Sequence, residues 1–293
     1  MRKKYDIPNI LIHIFFIILC LMMIYPIFCI LSVSLMSAEE IAQSGFSLWP
    51  KTVSFASYEF VFSNLIPLLK AFGTTVFVSV TGMVIGLMVT SMYAYAISRK
   101  SFPFRRFFSF VAMFTMYFSG GMASSYIVNV SILNLKNNIL VLILPLAFSV
   151  MNMIIIRSFF EQLPYGLVES AKLDGANEYQ IYFRIMLPLA KPALATVAIT
   201  LFVNYWNSYY EAMMYMDTGS YVTLQLLLQR MMERVDFVKQ FASTGMIGSM
   251  AADLPSEGMR MAMCMLIILP TLCVFPFFQK YFVKGMAIGS VKG

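Results

Sequence analysis

The stretch Ile10–Met36 reads ILIHIFFIILCLMMIYPIFCILSVSLM and carries no Asp, Glu, Lys or Arg. A helix rising 1.5 Å per residue needs about 20 apolar residues to cross a bilayer core about 30 Å thick, so this stretch is long enough. Arg2, Lys3 and Lys4 precede it as they would a secretory leader, but it is too long for a leader's apolar core and no small-residue cleavage site follows. It is expected to remain as a first membrane helix. Five more windows free of charge lie between Lys70 and Arg99, Arg106 and Lys136, Lys136 and Arg157, Lys191 and Glu211, and Arg260 and Lys280. Spans of a β-barrel would alternate in segments of about ten residues, whereas these runs are long and continuous. The expectation is an all-α membrane protein with six transmembrane helices. The rival, six buried helices of a large water-soluble protein, needs polar faces along those windows and finds few.

Composition agrees, with 60% of residues hydrophobic and 12% charged, far from the usage of water-soluble domains. Six spans put both termini on one side, and the positive-inside rule places that side in the cytoplasm. Arg2, Lys3, Lys4, Arg99, Lys100, Arg105, Arg106, Arg157, Lys172, Arg184, Lys191, Lys280, Lys284 and Lys292 then fall inside. Only Lys51, Lys70, Lys136, Arg230, Arg234, Lys239 and Arg260 fall outside. This asymmetry accounts for the net charge of +7, so no nucleic-acid partner is needed. Residues 1–70 are read as the first span and an external loop, 71–285 as the main transmembrane domain and 286–293 as a cytoplasmic tail.

Cysteines Cys20 and Cys29, and Cys264 and Cys273, lie nine residues apart within spans. Nine helical residues separate each pair by about 13.5 Å on opposite faces, so they read as free packing residues. The single His, His13, makes neither a metal site nor a catalytic triad. No Gly-Lys dipeptide occurs, so there is no phosphate-cradling P-loop and any ATP with its magnesium must sit on another subunit. The charge-free spans also lack the acidic and basic relays of ion-coupled carriers. Two long external segments are expected, Ser37 to Leu69 and Asp217 to Met259, with a short one around Asn129 to Asn138. In the second long one Leu224, Leu227, Leu228, Met231, Met232 and Val235 recur at helical spacing between polar residues, which fits a surface helix packed on the membrane domain or a partner-docking face. Gly82 and Gly86 form a small-xxx-small pair that lets helices approach closely, most simply within the chain. Gly120-Gly121 would bend the third span or open a loop.

Between the fourth and fifth windows lies Leu163–Pro192, LPYGLVESAKLDGANEYQIYFRIMLPLAKP. It is too polar to cross the membrane and too patterned to be structureless. Pro164 can open a short helix and Gly175 can stop it. Glu169 and Asp174 would each cost about 2.5–3.5 kcal/mol at the bilayer centre, so they face water or a protein. Glu169, Ser170, Ala171, Gly175, Ile185, Leu187 and Pro188 resemble the EAA loop of binding-protein-dependent ABC importer permeases, E-A-A, three residues, G, nine residues, I-x-L-P. The spacing agrees throughout, and Ser170 stands in place of the first Ala. The tail Gln279–Gly285 followed by Gly289–Gly293 is similar to that of maltose-type sugar permeases. The resemblance covers roughly Ala71 to Gly293, and the long loops match poorly.

The resemblance implies a type I ABC importer fold in which the EAA helix is a cytoplasmic coupling helix seated in a groove of an ABC ATPase. The residues so implicated are Glu169, Ser170, Ala171, Asp174, Gly175, Ile185, Leu187 and Pro188. Glu169 would pair with a basic group there, while Ala171 and Gly175 would let the partner's backbone come close. It also implies a second, homologous permease, an ATPase dimer, a solute-binding protein facing the Asp217–Met259 loop, a carbohydrate cargo, and residence among the lipids of a bacterial cell membrane. The chain itself is expected to be no enzyme. Rivals are a non-pore scaffold for an ATPase and an importer of peptides, amino acids or an anion.

The fifth window contains Asn204-Tyr205-Trp206-Asn207-Ser208-Tyr209-Tyr210-Glu211. Asn204, Asn207, Ser208 and Glu211 fall at i, i+3, i+4 and i+7, one face of a continuous helix, and are expected to line a wet pathway. Sugars offer apolar ring faces and many hydroxyls, so Trp206, Tyr209 and Tyr210 could serve as platforms and Asn204, Asn207 and Asn152 as hydrogen-bonding groups. The aromatics also fit helix packing or an outer-interface belt, which suits the tyrosines better than a platform does, so the amides are the stronger candidates.

Overall fold

The computed structural model describes residues 7–63, 65–217, 221–242 and 257–289. Arg2, Lys3 and Lys4, the tail 290–293 and much of the loop between Asp217 and Met259 lie outside these. No strand occurs among the described residues. Fourteen α-helices do: α1 Ile7–Ser34, α2 Ala38–Ser44, α3 Ala56–Ser63, α4 Leu65–Ser98, α5 Arg105–Tyr117, α6 Gly121–Ile127, α7 Val150–Gln162, α8 Gly166–Leu173, α9 Glu178–Ile181, α10 Leu187–Leu189, α11 Lys191–Asn207, α12 Tyr210–Tyr215, α13 Leu224–Ala242 and α14 Glu257–Gly289. Two π turns, Val128–Ile132 and Tyr182–Met186, and two 3₁₀ turns, Ile139–Leu142 and Leu144–Leu146, complete the set.

Three of the six windows are continuous helices able to cross a membrane, within α1, α4 and α14. The other three are broken. The third turns through 118° between α5 and the α6 segment, the fourth through 52° between the 3₁₀ turns and α7, and the fifth region through 82° between the segment Glu178–Leu189 and α11. Counting each bent pair as one span gives up to six by length and composition, although the Glu178–Leu189 arm of the last pair belongs to the polar stretch Leu163–Pro192 and its bend falls just before the fifth window. The first break falls at the glycine pair, where Gly121 adopts φ +79°, a conformation that residues with a Cβ rarely take. The bend is far sharper than a weakened helix.

The described residues fall into two compact units, one within Met1–Leu68 and Leu228–Leu269, the other within Leu69–Leu227 and Pro270–Gly293. In the first, the segment Ser37–Lys51 is ordered by side-chain caps. Ser37 Oγ accepts from Glu40 N (3.2 Å) at the start of α2, and Glu40 Oε1 accepts from Lys51 N (2.8 Å). A Cβ on Gly258 would stand 2.6 Å from Ser57 Oγ, so α14 can lie against this segment only through glycine. The apolar residues of α1 from Ile10 to Ile18 stand largely exposed, as befits a helix apolar on every side in a bilayer.

In the second unit the core gathers Val78, Ala94, Ile97, Val141, Met153, Ile156, Ile181, Met186, Val197, Leu201 and Tyr205. Gly82 and Gly86 explain how α4 and α11 come so close. A Cβ at Gly82 would stand 2.5 Å from Tyr205 Cζ, and one at Gly86 would stand 3.0 Å from Ala147 O. Tyr205 Oη in turn donates to Ile143 O at 2.7 Å, which ties α11 to the interrupted fourth span. The small-xxx-small pair is thus an intrachain packing device. The N–H of Leu224 donates to Thr75 Oγ1 (2.8 Å), and Leu224 and Leu226 are buried. The amphipathic stretch therefore starts as a packed helix; the side chains of α13 from Val235 onward are outside the described set. Outside the spans, Asn137 and Asp217 exchange two hydrogen bonds (2.7 and 2.8 Å) and Lys136 Nζ lies 3.3 Å from Asp217 Oδ1.

Candidate functional site

Helix α8 is built for two faces. Its start follows Pro164, whose carbonyl accepts from Leu167 N at 3.2 Å. It ends on a Schellman motif: Gly175 N donates to Lys172 O (3.0 Å), Ala176 N donates to Ala171 O (2.9 Å), and Gly175 takes φ +81°. That geometry satisfies the last carbonyls and calls for glycine. Nothing lies within 4 Å of a Cβ built there, so within this chain Gly175 serves backbone conformation and not close packing. Val168 and Ala171 point into the core. The expectation that Ala171 opens room for a partner is thereby corrected: the methyl is spent on this chain's own packing. Glu169, Ser170 and Asp174 are exposed, and Leu173 is 88% exposed. A leucine so placed on an ordered helix is an apolar knob without a socket in this chain.

The helix is anchored from behind by Glu178 at the start of α9. Asn177 and Gln180 form a capping box (2.8 and 2.9 Å) that fixes this turn. Glu178 Oε1 pairs with Lys172 Nζ of α8 at 2.7 Å, and Glu178 Oε2 accepts from Tyr95 Oη of α4 at 2.5 Å. Burial pushes the Glu178 carboxyl up, but Lys172, Tyr95 and Arg99 together outweigh it and hold it below its ordinary value. The tie is therefore intact through the neutral range and fades only as pH falls through that lowered value. Replacing Glu178 by Gln is expected to speed deuterium exchange over residues 166–176. Unchanged exchange there would show that the inward packing of Val168 and Ala171 suffices.

After α9 the chain widens into the π turn Tyr182–Met186, where Tyr182 and Ser91 hydroxyls meet at 2.7 Å. Ile185 and Leu187 pack against the core and Pro188 is exposed. Leu187 and Pro188 line a shallow apolar cavity of about 380 Å³ together with Val84, Met88, Phe183 and Lys191. The I-x-L-P part of the motif joins the α8 segment to α11.

The pathway residues divide. Asn204 and Asn207 are exposed on α11, side by side in helical register. The helix ends at Asn207, however, and Ser208 is extended (φ −73°, ψ 121°). Glu211 belongs to the separate helix α12, so the expected single face does not continue to it. Ser208 Oγ instead donates to Glu211 Oε2 across the break. Trp206 is 2% exposed, stacked on Phe202 (5.6 Å) and edge-on to Phe72 (6.2 Å), so it is core and no platform for cargo. Asn152 is buried, with Nδ2 lacking a protein acceptor among the described residues, and does not line an open path. Tyr209 packs against the core and Tyr210 is half-buried. No cluster of three or more metal-ligating side chains occurs among the described residues, and the four cysteines are free.

Residues 5–288 match the family of binding-protein-dependent transport system inner membrane components. The chain belongs to that family. Among relatives of this permease, the polygalacturonan/rhamnogalacturonan transport system permease protein YtcP of Bacillus subtilis is 36% identical over 290 residues, 97% of this chain and 98% of the relative. Protein LplC of the same organism is 37% identical over 270 residues, 92% and 90% of the two chains. A chain of a solved bacterial ABC transporter involved in the import of the acidic polysaccharide alginate shares the fold, with a TM-score of 0.80 at 30% identity, covering 96% of this permease and 100% of that chain. The permease is accordingly a membrane-embedded transport subunit with the helical fold of an ABC importer.

Sequence reasoning missed the Tyr95–Glu178–Lys172 tie and the Gly82–Tyr205 contact as functional supports of this permease. The Asn177-x-x-Gln180 capping box was the one local signal for the first. The second had the glycine pair but nothing to name Tyr205 as its filler.

Proposed function

We propose that this permease forms half of the pore of an ATP-driven importer of oligo- or polysaccharide, with a second permease, a cytoplasmic ATPase dimer and a solute-binding protein as its partners. The observation that carries this reading is helix α8, rooted on one face by Val168, Ala171 and Glu178 and presenting Glu169, Ser170, Leu173 and Asp174 on the other. A helix so mounted can receive a push from an ATPase and pass it through the π turn to α11. ATP and magnesium would be held on the ATPase, and both termini and α8 would lie in the cytoplasm. The carbohydrate cargo follows from the transport named for YtcP and for the alginate importer, and from the exposed amides Asn204 and Asn207 on α11, which suit hydroxyl-rich solutes.

The test is membrane sidedness. With Glu169 replaced by Cys in a cysteine-free background, an impermeant maleimide is expected to react in inside-out vesicles and not in intact cells, and the reverse pattern would sink the proposal. The pore role is separable. Replacing Asn204 and Asn207 by Leu is expected to cut uptake of the cognate sugar by about tenfold or more, the scale of losing one well-placed hydrogen bond to the solute, with insertion unaffected. Full uptake in that variant would favour the non-pore scaffold.

A further inference from the structure

Behind α8, where α4, α5 and α7 end or begin, lies a cavity of about 370 Å³ lined by Arg99, Lys100, Arg105, Glu161, Tyr165 and Val168. Its charges do not balance. Glu161 is taken by Arg105 (2.6 Å) and by Arg157 (3.0 Å). Glu178 is taken by Lys172 and Tyr95, which leaves Arg99 Nε 3.7 Å from its carboxylate, beyond hydrogen-bond reach. The Arg99 side chain is only 10% exposed. Its guanidinium lies 5.1 Å from the Tyr95 ring centroid, and among the described residues it donates no side-chain hydrogen bond. Its ion pair with Glu178 is that long contact, and Lys100 has no ion pair among the described residues. A guanidinium carries five donors in a fork that matches phosphate oxygens, and burying it without an acceptor is costly.

The surroundings say which acceptor. Ser98 to Arg105 is the short connection between two apolar segments, and basic residues in such short connections meet the headgroup layer. Phe104 and Phe107, 61% and 60% exposed, flank it and offer apolar surface to acyl chains. A zwitterionic headgroup would bring a cation of its own into a cavity already in cationic excess, whereas an anionic headgroup brings the missing charge.

We propose that this cavity binds a phosphate-bearing anion, the headgroup of an anionic phospholipid from the adjoining leaflet, held by Arg99 and Lys100. Tyr165 and Val168 line the same cavity, so the bound headgroup braces α8 from the side opposite its exposed face. This regulatory consequence rests on α8 being the coupling element; the binding itself does not.

The full-length permease, co-expressed with its partner subunits, is reconstituted with equal amounts of phosphatidylcholine and phosphatidylglycerol, extracted in neutral detergent, and its retained lipids are counted by native mass spectrometry. Phosphatidylglycerol is expected to exceed phosphatidylcholine by about tenfold, as a charge-assisted contact provides, and the excess is expected to vanish in the variant carrying Arg99→Gln and Lys100→Gln. Lys100→Gln alone, on an exposed turn, is expected to lower the excess without disturbing the fold. Equal retention of the two lipids, or an excess that survives the double substitution, overturns the proposal. So does loss of the lipid on adding millimolar inorganic phosphate, which would mark a soluble anion, or its expulsion on assembly with the ATPase, which would mark a protein-docking pocket. If Glu169 proves unreactive from the cytoplasmic side while the lipid is still retained, the coupling role falls and the lipid site stands.

Discussion

Reversing the charge at Glu169 to Lys is expected to cut ATP-driven uptake by about tenfold or more while the permease still inserts and folds. Glu169 is exposed on α8 and forms no ion pair or side-chain hydrogen bond among the described residues, so its replacement costs the fold at most about 1 kcal/mol of helix-dipole interaction in the first turn. A hydrogen bond to a charged group contributes about 1.5–3 kcal/mol, and reversal adds repulsion from the basic group that the acid would have met. A loss of about tenfold or more in transport is therefore expected. The check is uptake beside ATP turnover in the same vesicles: turnover that persists without uptake marks uncoupling, and normal uptake would refute the role given to Glu169. Substituting Val at Gly175 should reach the same end by another route, because a β-branched residue resists φ +81° and undoes the Schellman turn; Asn should be tolerated best.

The second large effect is expected at Gly82, which no solute or partner need touch. Val there would set its Cβ 2.5 Å from Tyr205 Cζ, and the ring is pinned by the hydrogen bond from Tyr205 Oη to Ile143 O. Overpacking of this kind typically costs about 1–3 kcal/mol and more when the obstacle cannot move. We expect loss of monodisperse protein in detergent and a lowered melting temperature. Gly73→Ala in the same helix, with nothing within 4 Å of its Cβ, is the control and should fold normally. Shortening the obstacle with Tyr205→Leu should recover part of the loss in the Gly82→Val variant; no recovery would place the damage elsewhere.

The spans could be read from charge-free windows because removing a charge from water is costly enough to dominate every other local preference. Continuity could not. Hydropathy reports which residues tolerate the bilayer, not whether the backbone between them stays helical, and only Gly120-Gly121 signalled a break. Helix α8 was legible because Pro164 and Gly175 act locally. The direction of Trp206 was not, since a helical period relates residues to one another without saying which face meets the core. The period also fails past Asn207, where the helix ends, so Glu211 was grouped with neighbours it does not join. The contact between Tyr95 and Glu178 spans 83 positions, and no local pattern encodes that distance.

The breaks in three of the crossings also restrict what may surround the molecule. A lipid tail has nothing to offer a carbonyl released from its helix, so such a carbonyl must find a side chain or water. Greasy solvent can therefore wet unbroken cylinders such as α1 without penalty, while each interrupted crossing has to be screened by neighbouring protein or open onto an aqueous channel.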